Sequence, residues 1–362
     1  MRESSLRSIL LLGTQNSVAL PLVRSLAMAL PQAYIHAVSK DDKHPQITNF
    51  SKYITSHSYI NTDNREIFID ELIAVIKAKN VDILLPVDEY FSKMVVSLQE
   101  QLKTYTILPS LPDTNLLERL IHKDRLSSLL TEIDLPSTEI YDIKTLDPEA
   151  LDPNTFPYVL KPIFGSSGLG IKRVDTKAFL IEEKKNEIAD EYILQEYIPG
   201  YDIDCSLLAV DGVIKAYTIQ RGIESNGFTF PTAIYFTQNQ ALYDLVERFI
   251  VETKYNGIAH LDFRFDERDG QFKLIDFNAR YWFSLLGSTS AGINFPLLHC
   301  LAAMGIPFER PAFEECIYLM GKKALSFNRK KYWPKSSKQV SIYSDFFARL
   351  KDPLPELLRL VR

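Results

Sequence analysis

Cysteine is scarce in this chain. The three present, Cys205, Cys300 and Cys316, are odd in number and widely scattered, which excludes a disulfide framework and fits a reducing compartment. No CxxC pair or Cys/His cluster offers a zinc site. Long apolar runs are absent as well. The N-terminal SILLLGTQNSVALPLV is broken by Gly-Thr-Gln-Asn-Ser and reads as a buried first strand rather than a leader peptide. No segment has the uninterrupted length of a transmembrane helix, so the chain is expected to be cytoplasmic. Nor is there an excess of positive charge: a formal net charge of -5 and a pI near 5.8 argue against nucleic acid as a partner. Internal repeats and low-complexity tracts are also missing. What remains is an ordinary globular composition, 46% apolar and 24% charged, over 362 residues, enough for two or three cores.

The most unusual stretch is VLKPIFGSSGLGIKRV, Val159 to Val174, where a lysine closes an apolar run and three glycines follow. Such a loop lets backbone N–H groups approach a ligand closely, and phosphate is the usual candidate. A Walker A loop is excluded, because Ile171 and not lysine follows Gly170, and Lys161 precedes the loop. The dinucleotide fingerprint fails too, on the order of gaps and the lack of a following helix.

Along the chain, Ser8 to Leu12 reads as a strand, Gly13 to Ser17 as a turn, Val18 to Leu30 as a helix and Ala33 to Val38 as a second strand. A helical stretch from Arg65 to Lys79 leads into VDILLPV, a run typical of buried parallel strands, ending at Asp88 and Glu89. These features predict a doubly wound α/β domain whose ligands sit beyond the carboxyl ends of its strands. Asp88 and Glu89 lie at such an end, either as caps of the next helix or as substrate ligands. Asp113 to Thr131 has a helical pattern and carries His122 and Lys123.

Gly257 to Phe265 and Gln271 to Phe277 predict two strands joined by the turn DERDG. Centring that turn on Asp269 sets Asp262 opposite Asp276, with Asn278 two residues on along the same face. Two carboxylates and an amide oxygen there would form a hard-oxygen site suited to magnesium; the plain alternative is a solvated polar face. The last 41 residues carry 11 Lys or Arg against 3 Asp or Glu, with Tyr332, Trp333, Phe346, Phe347, Leu357 and Leu358 interleaved. This tail reads either as a basic helix packed on the protein's own acidic body, which is favoured, or as a contact with a membrane surface or partner.

Taken in order, HKDRL, VLKPIFGSSGLG, LQEYIPGYDID, AHLDFRFD and LIDFNAR resemble the ATP-grasp family, of the carboxylate-amine or thiol ligase type, from about residue 8 to 300. The resemblance implies a fold of mixed α/β and α+β class: a Rossmann-like pre-ATP-grasp domain (1-112), a lid subdomain with the glycine loop (113-198), a C-terminal subdomain with the metal site (199-320) and a basic extension (321-362). It implies ATP and Mg2+, with Mn2+ as a substitute, as cofactors, and small-molecule carboxylate and amine substrates. Dimers are common among the proteins it resembles. Carried over by position, Lys123 and Lys161 would contact the α- and β-phosphates, and the loop of Gly165, Ser166, Ser167, Gly168 and Gly170 would close over the phosphates. The hinge of Glu196, Tyr197 and Ile198 would receive the adenine, and Asp202 the ribose. Asp262, Asp276 and Asn278 would hold the metal, and Arg280 would steady an acyl phosphate. Arg221 is a further candidate for an anionic group, and Asp204 a weaker one for the ribose. His260 reads as a core histidine, while Tyr281, Trp282, Ser288, Thr289 and Ser290 are candidates for the acceptor pocket. The family usually carries Glu at the positions of Asp276 and Asp262, so these shorter acids leave two rivals to the ligase, a phosphotransferase and a nucleotide-binding regulatory module.

Overall fold

The computed structural model describes residues 6–40, 46–163, 168, 170–185, 192–224, 231–321, 323–326 and 340–361. The first sheet is parallel, with spatial order β3-β2-β1-β4. Its strands are β1 (Ser8–Leu12), β2 (Tyr34–Ser39), β3 (Ile54–Tyr59) and β4 (Ile83–Pro86). Helices α1 (Asn16–Ala29), α2 (Arg65–Ala78) and α3 (Glu89–Leu102) connect and cover them. Strands β1 and β4 are buried throughout, as their unbroken apolar runs require of strands packed on both faces. The chain leaves β1 towards β2 on one side and returns as β4 on the other. The crevice beyond the ends of β1 and β4 is therefore a topological switch point, the place where open α/β sheets bind ligands.

The helical pattern at 113 to 131 resolves into two helices, α4 (Thr114–Ile121), capped by the Asp113 carboxylate on Leu116 N–H at 2.9 Å, and α5 (Lys123–Glu132). His122 between them is extended, with φ −94° and ψ 115°. The break puts Lys123 at the first position of α5. A four-stranded antiparallel sheet follows, ordered β5-β8-β6-β7, from β5 (Ile140–Asp142), β6 (Tyr158–Pro162), β7 (Lys172–Val174) and β8 (Tyr192–Glu196), with α6 (Lys177–Lys185) against it.

The largest sheet has seven strands in the order β13-β12-β9-β10-β11-β14-β15. They are β9 (Gly200–Val210), β10 (Val213–Glu224), β11 (Ala233–Phe236), β12 (Gly257–Asp266), β13 (Gln271–Asn278), β14 (Cys316–Leu319) and β15 (Ser341–Ser344). Helices α7 (Gln240–Thr253), α8 (Leu285–Ser290) and α9 (Phe295–Ala303) pack on it. One apolar cluster runs from Ile9 and Leu11 through Leu207 and Leu261 to Trp282 and Phe295, joining the first sheet to the largest. No helix among the described residues is long and apolar enough to cross a membrane.

The tail is built into this body. After α10 (Lys323–Ser326), β15 adds a parallel strand to β14, and α11 (Phe346–Lys351) and α12 (Leu354–Val361) follow. Lys323 pairs with Glu224, and two of the tail's acids make its buried attachment. The fully buried Asp352 carboxylate accepts from Arg24 Nε at 3.2 Å, Ser51 Oγ at 2.8 Å and Lys52 N–H at 2.9 Å, and Glu356 takes a second Arg24 nitrogen at 3.2 Å. Most of the basic stretch, residues 327–339, lies outside the described residues. Asp352→Ala removes the acceptor of the buried Ser51 hydroxyl and of Lys52 N–H and leaves buried Arg24 with Glu356 as its remaining carboxylate, so it is expected to lower unfolding free energy by about 3 kcal/mol. Urea denaturation compared with the wild type measures this.

Candidate active site

Strands β9, β12 and β13 are adjacent, and their registers set Asp204, Asp262 and Asp276 in one row across the sheet, with Ser206, His260 and Asn278 in the next but one. The Asp262 to Asp276 pairing expected from the sequence is present, but it arises differently. The turn pairs Asp266 with Gln271 and Phe263 with Leu274, half a residue earlier than centring on Asp269 requires, and an irregularity at Ile275 restores the register at the acids.

The acids are held by a chain of polar contacts. Arg280 Nη2 donates to Asn278 Oδ1 at 2.6 Å, and Asn278 Nδ2 donates to Asp262 Oδ2 at 3.3 Å. His260 Nε2 stands 3.1 Å from Asp262 Oδ1 and 4.0 Å from Asp204 Oδ2, while its Nδ1 meets Ser206 Oγ at 2.8 Å and its ring stacks on Trp282. It is a satisfied buried histidine that also orients Asp262. Burial works against the Asp262 charge, yet His260 and Arg280 overcome it and hold the carboxyl below its ordinary range. Asp204, half-buried beside Asp262 and sharing His260 with it, is pushed up to about 8 by desolvation first and by the Asp262 charge second.

Two lysines face these acids from other elements. Lys123 Nζ is 3.5 Å from Asp276 Oδ1. Lys161, on β6 and only 8% exposed, is lowered to about 8 by burial; Asp276, Asp262 and Asp202 pull it up and Lys123 pushes it down. One field therefore links five sequence motifs. The hard donor set of Asp262, Asp276 and Asn278 fits a magnesium ion, provided Asn278 Oδ1 turns from Arg280 to the metal.

The hinge is fastened from below by Arg264. Its Nη1 donates to Asp202 Oδ1 at 2.6 Å and its Nη2 to the Gly200 carbonyl at 2.9 Å, while Nε reaches the Ile198 carbonyl. The Tyr197 ring has the guanidinium groups of Arg173 and Arg264 at 4.6 and 5.6 Å from its centre, and Glu196 pairs with Arg268 while its N–H donates to the Glu139 carbonyl at 3.0 Å. Of the glycine loop, Gly165, Ser166 and Ser167 lie outside the described residues. Gly170 has φ +77°, and a Cβ there would stand 3.0 Å from Pro162 and from the Tyr192 hydroxyl, so any side chain there is strained. Arg221 stacks on Tyr201, 3.8 Å from the ring centre, away from the acids' cleft.

The acceptor-pocket candidates are corrected by the structure. Tyr281, Trp282 and Ser288 are core residues at 0%, 1% and 0% exposure: Tyr281 bonds His299 Nδ1 at 3.0 Å and Ser288 bonds Thr218 at 3.1 Å. Thr289 bonds Ser25 at 2.9 Å and Ser290 the Leu286 carbonyl at 2.9 Å. The open space lies elsewhere. A cleft of about 310 Å³ has Gln15, Asp88, Glu89 and Tyr90 on one wall and Lys123, Asp276, Asn278 and Arg280 on the other.

No family model matches the chain. It is 24% identical over 307 residues, 75% of this chain and 72% of the other, to the D-aspartate ligase of Enterococcus faecium (strain Aus0004). Among solved structures it is similar to the biotin carboxylase domain dimer of Hydrogenobacter thermophilus 2-oxoglutarate carboxylase, in complex with MgADP, ADP and bicarbonate. That match has TM-score 0.65 and 14% identity, covering 85% of this chain and 73% of that one. The L-amino acid ligase from Bacillus licheniformis superposes with TM-score 0.62 and 18% identity, over 84% and 75%. These likenesses show a shared fold, the one that the sequence resemblance implied.

Proposed function

We propose that the protein is an ATP- and Mg2+-dependent ligase acting in the cytoplasm, and that the acid it activates is an amino acid, joined to an amine with release of ADP and phosphate. The observation that carries this reading is the convergence of Lys123 and Lys161 on the Asp262–Asp276 pair at the edge of a cleft with room for a second substrate. The similarity to a D-aspartate ligase and an L-amino acid ligase supports the choice of acid.

A carboxylate is a poor electrophile and approaches a triphosphate against charge repulsion. Lys161 and Lys123 are placed to hold phosphate oxygens, Lys161 in a site dry enough that its charge is little screened. Arg280 shares the cleft with Asp276 and is placed to hold the acid's carboxylate in line. Asp262, Asp276 and Asn278 would hold magnesium, which when bound neutralises phosphate charge. Displacement at the activated acyl group needs an amine and no protein nucleophile.

Hydroxylamine trapping tests the reading. Incubation with ATP, Mg2+, hydroxylamine and D-aspartate, then with other amino acids of both configurations, is expected to yield acyl hydroxamate in step with ADP. A stable phosphorylated product formed without hydroxamate would replace the ligase by a phosphotransferase.

A further inference from the structure

We propose that Asp88 is the ammonium-binding residue of an amino-acid subsite in the cleft, so that the acid activated must carry a free amino group. The inference rests on the ligase reading above and concerns a residue outside the nucleotide and metal contacts.

Position comes first. Asp88 and Gln15 follow β4 and β1 at the switch point of the parallel sheet, and both line the cleft opposite Lys123 and Arg280. The cleft thus brings Lys123 and Arg280, together with Asp276, to the side where a carboxylate must be activated, and sets only acids, Asp88 and Glu89, among its charged groups on the other. A zwitterion matches that pattern, and a simple carboxylic acid matches half of it.

The carboxyl of Asp88 is divided between two tasks. Oδ1 accepts from Phe91 N–H at 3.0 Å and caps α3. Oδ2 lies over Gly13, whose φ of +106° and missing side chain make room for it; a Cβ at Gly13 would stand 2.7 Å from this oxygen. Among the described residues no ion pair includes Asp88, whereas its neighbour Glu89 pairs with Lys93 at 3.8 Å. Burial pushes the Asp88 carboxyl up, and Arg280 from across the cleft pulls it down. A cap alone does not need a largely desolvated carboxylate at the wall of a substrate cleft, since asparagine caps equally well. An ammonium arriving in the cleft supplies the missing countercharge.

Asp88→Asn keeps the size and the cap while removing the charge. With hydroxylamine as acceptor, wild-type protein is expected to use D-aspartate at least about tenfold better in kcat/KM than succinate, which has the same skeleton without the ammonium. The variant should lose about 10- to 100-fold on D-aspartate, chiefly through KM, with succinate use and ATP affinity unchanged. For any other amino acid found active, its deaminated counterpart replaces succinate. Equal use of both acids by the wild type, or a preference that survives in Asp88→Asn, overturns the inference and leaves the ligase standing. Hydroxylamine needs no base at neutral pH, so a variant slowed only with ordinary amines marks Asp88 as a proton acceptor and also overturns it. Absence of hydroxamate from every acid removes the ligase reading itself.

Discussion

Lys161→Met is expected to weaken ATP binding by at least about a hundredfold and, in the same protein, to raise resistance to denaturation. Both effects come from one observation. Lys161 is a buried ammonium whose pKa falls from 10.5 to about 8 because desolvation outweighs the nearby acids. At pH 7, below both values, it is protonated in the folded and unfolded chains alike. Holding that charge in the fold then costs about 3 kcal/mol. Methionine fills the same space without the charge, so a gain of about 1–3 kcal/mol is expected in urea denaturation, with the uncompensated acids taking back part of it. A lysine kept for packing alone would show the opposite: lost stability and unchanged ATP affinity.

The same group sets a pH law for nucleotide binding. A triphosphate binds the charged form, so affinity should be level below pH 8 and fall by about tenfold per pH unit above it, as the free protein must first take up a proton. Asp204 changes charge in the same range and acts in the same direction. Lys161→Met separates the two, because any slope that remains in it belongs to Asp204. Titration calorimetry with ATP from pH 7 to 9.5 reads both the affinity and the proton uptake.

The parts legible in the sequence are those coded by local periodicity. Alternation in HLDFRFD and LIDFN put Asp262, Asp276 and Asn278 on one face, and the apolar runs ending at Leu12 and Pro86 marked the parallel sheet. Even there the register was recovered through two compensating features, a turn centred half a residue early and an irregularity at Ile275, neither of which has a sequence signature. The third acid of the row joins it by a longer route: Asp204 meets Asp262 through pairing of strands some sixty residues apart, a non-local contact that no periodicity reports. The break at His122 was invisible because its residues are good helix formers on either side, and packing of Lys123 against Asp276 decides the matter. In the tail, the charge count pointed at the lysines and arginines, of which Lys323 pairs with Glu224, while the buried attachment to Arg24 is made by Asp352 and Glu356. Burial, not abundance, determines which charges hold a structure together.

Asp276→Ala is expected to cut turnover by about a thousandfold or more while leaving the Mg2+-ATP dissociation constant within about tenfold of the wild type, since the lysines and hinge supply most of the ground-state contacts. The metal-free nucleotide should respond the other way. Asp276 repels phosphate and sits 3.5 Å from Lys123 Nζ, competing for it, so its removal should tighten ATP binding in EDTA by several-fold. Opposite signs with and without magnesium distinguish a metal ligand from a residue that merely shapes the pocket. Asp262→Ala should be the milder of the two. Asp204 lies beside it in the same row, His260 reaches towards both, and loss of the Asp262 charge removes a force that keeps Asp204 protonated. A substitute carboxylate is therefore at hand for Asp262 in its own row of the sheet. Normal turnover in Asp276→Ala would discard the metal assignment, and equal losses in the two variants would discard the role given to Asp204.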